Sequence, residues 1–203
     1  MAVMTERRVA RPGISPREAA FVTELSEKTI NQAIDREEVH ALPARRVEDR
    51  ERTLGFPDLV YLRLRSEIGR LLSSEGKRLL REQLMASADP EGSVSIGPME
   101  VRIAMEVRKV EERLAQIELA RAFVTSDPEV RAGEPIIRGT RVPVYMLADL
   151  AAQGADTEEL LEDYPSLTAE SLEAALLYAR MYPRRGRPRR GPWKNGVVLR
   201  KAP

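Results

Sequence analysis

A chain of 203 residues, 42% hydrophobic, 32% charged and only 4% aromatic, is sized for one or two small domains, with helices packed through Leu, Val, Ile and Ala rather than an aromatic-rich β-sandwich. It has no cysteine, which excludes disulfides and thiolate metal sites and fits a reducing cytoplasm, and its single histidine, His40, excludes sites built from several imidazoles. Nothing approaches the ~18-residue apolar run of a membrane span, a secretory leader, a phosphate-cradling glycine loop or a nucleophile motif, so a membrane protein and an enzyme are both disfavoured and no cofactor is expected. The net charge of +1 is unevenly sorted: residues 184–203 hold eight cations and no acid, leaving −7 on residues 1–183.

Residues 1–13 carry no periodic pattern and are expected to form a flexible N-terminus. A first domain is expected over residues 14–72. Ser15, Pro16 and Glu18 spell a helix start, with an N-cap oxygen followed by proline at the first helical position. Ala19, Val22 and Thr23 give this helix a narrow face of small residues. Ser26 caps a second helix whose Ile30, Ala33 and Ile34 form the stripe of a packed face. Two short helices about a tight turn predict a helix-turn-helix, although a plain helical hairpin fits the same spacing. The second helix would offer Ser26, Lys28, Thr29 and Gln32 to base edges in a DNA major groove. The turn holds Glu24 where glycine is usual, and a left-handed Glu24 would cost about 1 kcal/mol. Arg45, Arg46, Arg50 and Arg52 then crowd a segment broken by Pro43 and Gly55, either a wing whose cations meet phosphates or a solvated loop. Pro57 opens a helix expected to align Val60, Leu64, Ile68, Leu71 and Leu72. With "GFPDLVYLRL" in this position, residues 14–72 resemble the winged-helix heads of the MerR and excisionase group, which implies operator DNA as a partner.

Residues 73–124 read as a connector. A helix is expected from about Glu75 to Ala86, ending in the turn-rich "SADPEGS". Val94 and Ile96, then Met99, Val101 and Ile103, alternate around Gly97-Pro98 and predict a small β-hairpin. Val107, Val110, Leu114 and Ile117 follow at helical spacing. Two heptads are too few for a coiled coil, and the seam could join two subunits or pack on the body of the chain.

From residue 125 to 182 the chain reads as a compact trihelical, helix-turn-helix-like unit. Gly133 and Gly139 punctuate an extended arm, and the Gly139-Thr140-Arg141 turn is better read as punctuation than as an anion site. Pro143 starts a helix that Gly154 ends; Thr157 caps a second, stopped before Pro165; Thr168 caps a third. Glu158, Glu159, Glu162, Asp163, Glu170 and Glu173 crowd the last two helices and would repel phosphates, so protein contact suits this unit better than DNA. Asp127-Pro128-Glu129, Gly133, Pro135, Ile137, Gly139-Thr140-Arg141, Val142-Pro143-Val144, Gly154, Tyr164-Pro165 and Leu167 stand where the bacterial domain of unknown function 433 has its pattern. The segment is similar to that family.

The resemblance implies an antitoxin of VapB type, encoded beside a PIN-like ribonuclease toxin and repressing its own operon. The tail, residues 183–203, would then bind the toxin: Arg184, Arg185, Arg187, Arg189, Arg190 and Lys194 as cations on an acidic metal site, with Trp193, Val197 and Leu199 as apolar anchors. A rival reading sees Arg185-Gly186-Arg187-Pro188 as an AT-hook core laid in a minor groove, on a stand-alone transcriptional regulator. The expected molecule is therefore mainly α: a winged helix-turn-helix, a hairpin and helix in the middle, a trihelical domain and an extended basic tail. It would work in the cytoplasm, as a homodimer or a hetero-oligomer with its toxin.

Overall fold

The computed structural model describes residues 13–43, 52–86, 92–129 and 131–184, and it is mainly helical. The expected flexible N-terminus thus falls, Gly13 apart, outside the described residues. In chain order the elements are α1 (Pro16–Thr23), α2 (Glu27–Asp35), β1 (Leu42–Pro43), β2 (Arg52–Thr53), α3 (Phe56–Ile68), α4 (Ser74–Ala86), β3 (Ser93–Ile96), β4 (Met99–Arg102), α5 (Ala104–Phe123), β5 (Val124–Thr125), β6 (Ile136–Ile137), α6 (Val144–Ala152), α7 (Thr157–Asp163) and α8 (Ala169–Met181). Among the described residues the strands pair as three antiparallel two-stranded sheets, β1 with β2, β3 with β4 and β5 with β6. No helix among the described residues is long and apolar enough to cross a membrane.

Local signals set most helix ends. At α1 the Ser15 side chain accepts from the Glu18 N–H while Glu18 accepts from the Ser15 N–H, a reciprocal capping box with Pro16 at the first position. At α8 Thr168 and Ser171 make the same reciprocal pair. The cap of α7 is Asp156, not Thr157 as the sequence suggested. Asp156 accepts from the Glu159 N–H at 2.9 Å and Glu159 reaches back to the Asp156 N–H at 3.1 Å. A cap at Thr157 would face Leu160 three residues on, which has no oxygen to return. Leu71 is a second correction: α3 stops at Ile68, and Leu71 lies on the following turn, 81% exposed, while Leu72 turns inward. The helical stripe holds only as far as the helix does.

Two apolar clusters organise the chain. The first gathers Val22, Ile30, Leu54, Leu59, Leu62, Leu80, Ile96, Ile103, Val110, Leu114 and Ile117, so α1 to α5 share one core. Each fully buried aliphatic side chain contributes about 1.5–3 kcal/mol. The seam of α5 packs on the body of the chain, the second of the two roles open to it; Val107, Val110, Leu114 and Ile117 are all buried there. The second cluster joins Val124, Ile137, Val144, Leu147, Leu160, Leu167, Leu172 and Ala175. Helix α8 belongs to both, since its Leu177 and Met181 enter the first cluster. The head of the chain is pinned by an antiparallel bridge between Ile14 and Leu54. Gly13 lies so close to Thr53 that a Cβ there would sit 2.4 Å from the Thr53 Cβ.

A buried carboxylate ties the β1–β2 hairpin to α3. Asp58 accepts from the His40 N–H at 2.9 Å and from the Gly55 N–H at 3.2 Å. Burial raises its pKa from 3.8 to about 6, against the bond from Gly55, which favours the ionised form. The folded state therefore holds this proton more tightly than the unfolded chain. Asp58 costs no stability below about pH 4, where both states are protonated, and an increasing amount as the pH rises through 6. A carboxyl carbon titration by NMR should place its midpoint near 6; a midpoint at or below 4 would mean that the two N–H donors outweigh burial.

Candidate nucleic-acid interface and the root of the basic tail

Helix α2 begins where Ser26 accepts from the Thr29 N–H at 3.1 Å, and its Ile30, Ala33 and Ile34 are buried under the helix. The opposite face carries Lys28, Asn31 and Gln32, all exposed and without a side-chain partner among the described residues. Thr29 is half-buried, and its hydroxyl is committed to Ser26 Oγ at 2.7 Å. Of the four residues expected to read DNA, Lys28 and Gln32 are thus fully free, while Ser26 and Thr29 hold the helix start together. Arg52, on β2, pairs with Asp35 at the end of this helix at 3.0 Å. Arg45, Arg46 and Arg50 lie outside the described residues.

The turn between α1 and α2 has Glu24 left-handed, φ 59°, the costly case considered for that position. What holds it there was not visible in the local sequence. The Glu24 carboxylate takes Arg113 of α5 at 2.7 Å and Arg63 of α3 at 3.4 Å; the Arg113 hydrogen bond, then the Arg63 charge, keep its pKa below the ordinary value. Arg63 also donates to the Val22 carbonyl at 3.2 Å, closing the end of α1. Deeper in, Arg63 Nε meets Glu106 at 2.6 Å, both side chains buried. Burial opposes ionisation of Glu106, but the bonds from Lys109 and Arg63 outweigh it and hold its pKa down. At the other end Arg121 grips the buried Glu18 carboxylate through both oxygens, at 2.7 and 2.8 Å. One face of α5, at residues 106, 113 and 121, therefore braces α1, the turn and α3. The signal for Arg63 was a cation inside the apolar run "LVYLRL"; nothing marked its partner.

The tail leaves from a second built site. Tyr145 of α6 donates to the Tyr182 carbonyl at 2.7 Å, and Tyr182 stacks on Tyr178 of α8 with ring centres 4.8 Å apart. Arg17 of α1 lies over the Tyr182 ring, 5.3 Å from its centre, and donates to the Pro183 carbonyl. Arg184, expected to reach outward, turns back onto the body. It stacks 4.7 Å over Tyr145 and pairs with Asp149 at 3.2 Å and Glu134 at 3.3 Å. Arg185, Arg187, Arg189, Arg190, Trp193, Lys194, Val197 and Leu199 lie outside the described residues.

The segment between β5 and α6 is tied to the body by its own hydrogen bonds. Arg138 donates to the Ala122 and Arg121 carbonyls, satisfying the last turn of α5. In the Gly139-Thr140-Arg141 turn, Thr140 donates to the Ile137 carbonyl and accepts from the Val142 N–H, with Gly139 at φ 77°. The turn is closed by its own hydroxyl. Glu158, Glu159, Glu162, Asp163, Glu170 and Glu173 are all exposed on α7 and α8.

Residues 124–179 match the family model described as "Protein of unknown function (DUF433)". The uncharacterized protein y4eO of Sinorhizobium fredii (strain NBRC 101917 / NGR234) is 34% identical over 185 residues, 85% of this chain and 82% of that one. The chain belongs to the DUF433 family. Its DUF433 domain is thus the β5–β6, α6, α7 and α8 unit, fused to the end of α5 through Arg138. A crystal structure of a DUF433 member from Anabaena variabilis ATCC 29413 is similar at 38% identity, covering 37% of this chain and 75% of that chain, with a TM-score of 0.30. Rv2018 from Mycobacterium tuberculosis matches at 19% identity over 82% of this chain and 97% of its own, with a TM-score of 0.28.

Proposed function

We propose that this DUF433 protein is the antitoxin of a type II toxin–antitoxin pair, binding operator DNA through α2 and a PIN-like ribonuclease through its basic tail. The observation that carries the DNA half is the braced turn ahead of α2. An ion-paired Glu24 and a capped Ser26 fix a helix whose outward residues, Lys28, Asn31 and Gln32, have no side-chain partner among the described residues. A recognition helix needs this combination of a rigid base and free donors at its N-terminal half. The hairpin beside it adds Arg52, which pairs with Asp35 at the end of α2. The toxin half rests on the sorting of charge. Residues 185–203 hold seven cations and no acid, and they begin at a root that the body holds in place through Tyr182 and Arg184. In this reading the acidic surface of α7 and α8 keeps the DUF433 domain off the phosphates.

The test of the DNA half is a binding titration on the DNA upstream of the protein's own reading frame. Lys28→Ala and Gln32→Ala together should weaken sequence-specific binding at least tenfold, since a good base contact is worth about 1–3 kcal/mol. Binding to non-specific DNA should change little. Wild-type affinity in the double variant would mean that α2 is not the reader.

A further inference from the structure

We propose that the outer edge of β4 is the contact between two copies of this chain, joined antiparallel about a two-fold axis through Val101. Helix α4 packs against β3, and in this two-stranded sheet β4 has one edge that pairs with no other strand among the described residues. Within the hairpin Met99 opposes Ile96 and Val101 opposes Val94, and the Ile103 N–H donates to the Gly92 carbonyl. Hydrogen-bonded pairs alternate along an antiparallel ladder. A two-residue turn at Gly97-Pro98 assigns the inward backbone groups to Met99, Val101 and Ile103. Glu100 and Arg102 therefore aim their N–H and C=O groups outward.

The side chains of the same two residues select the register. Glu100 and Arg102 share the exposed face of the sheet. Arg102 has no ionic partner among the described residues, and Glu100 has only the Ser93 hydroxyl. Centring the pairing on Val101 sets Glu100 opposite Arg102 of the second copy and Arg102 opposite its Glu100. Both pairs are also the hydrogen-bonding ones, so four backbone bonds and two ion pairs close together. Centring on Glu100 or on Arg102 puts like charges face to face, and a one-residue slip sends every side chain to the wrong face. On the inner face the same register sets the half-buried Val101 against Val101 of the second copy. The contact is isologous, with one strand serving as both halves. It needs neither DNA nor toxin, so it stands or falls apart from the function proposed above.

Sedimentation equilibrium of the full chain, without DNA, tests it. The wild type should be a dimer at micromolar concentration. Arg102→Glu sets Glu opposite Glu twice and Glu100→Arg sets Arg opposite Arg twice, so each should raise the dimer Kd about tenfold or more with unchanged circular dichroism. Mixing the two variants restores opposite charges at both positions and should give a heterodimer of wild-type affinity, as should the swapped double variant E100R/R102E in its homodimer. A monomeric wild type overturns the proposal, as do single variants that dimerise like the wild type or a mixture that stays monomeric.

Discussion

Replacing Arg63 by methionine should cost about 3 kcal/mol of folding stability, because it leaves the buried Glu106 carboxylate with Lys109 as its remaining ionic partner. Lys109 reaches Glu106 at 2.8 Å and keeps the loss toward the lower end of the usual range for a broken buried pair. The Val22 carbonyl and Glu24 lose the same guanidinium, so the turn before α2 loosens too. The double variant R63M/E106L should recover most of the loss, since replacing a whole buried pair with packed apolar side chains is often neutral or stabilising. The sign with pH is fixed as well. The Glu106 pKa is held below its ordinary 4.5, so the pair stabilises the fold above that value and stops doing so as the pH falls through the lower folded value. The gap between wild type and R63M, measured by urea unfolding, should therefore be full at pH 7 and shrink below about pH 4.5. A loss under 1 kcal/mol at pH 7 would show that Arg63 is not needed to hold that charge.

If the chain is the antitoxin proposed above, deleting residues 185–203 should abolish neutralisation of the toxin and leave operator binding in place. The cut is set by the structure, because Tyr182 and Arg184 belong to the body, and removing them would disturb the Arg17–Tyr182–Tyr145 contacts between α1 and the DUF433 domain. PIN-like nucleases hold divalent metal with clustered carboxylates, and arginines laid across such a cluster make short, charge-assisted contacts that compete with the metal. Within the tail, Trp193→Ala should cost about 2 kcal/mol or more of toxin affinity if the indole fills an apolar groove. Co-purification with the toxin and an RNA-cleavage assay read both results. A truncated chain that still silences the nuclease, but loses affinity for A·T-rich duplex, would transfer the tail to the AT-hook role.

Much of the head and of the DUF433 domain was legible because its signals are short-range. Ser15, Ser26 and Thr168 cap helices by bonding the backbone three residues on. Gly97 takes φ 59° in the turn that Gly97-Pro98 announced, and Gly154 takes φ 106° just past α6. Where the reading failed, two local candidates competed. Asp156 displaced Thr157 because only Asp156 finds Glu159 in the reciprocal position, and Leu71 left its stripe because α3 ends three residues before it, at Ile68.

The sequence by itself determined most of the helix starts and stops, which faces are apolar, and that residues 184–203 hold eight cations and no acid. Those properties depend on neighbours within one or two turns of chain, which a pattern can report. Only the tertiary structure decided what the apolar seam of α5 covers, and that this helix braces the turn before α2 through Glu106, Arg113 and Arg121. It also decided that Arg184 folds back onto Tyr145. The pairs Arg63–Glu106 and Arg121–Glu18 join residues 43 and 103 positions apart. A buried charge has to find its partner in space to offset desolvation, and no spacing rule links residues so far apart along the chain.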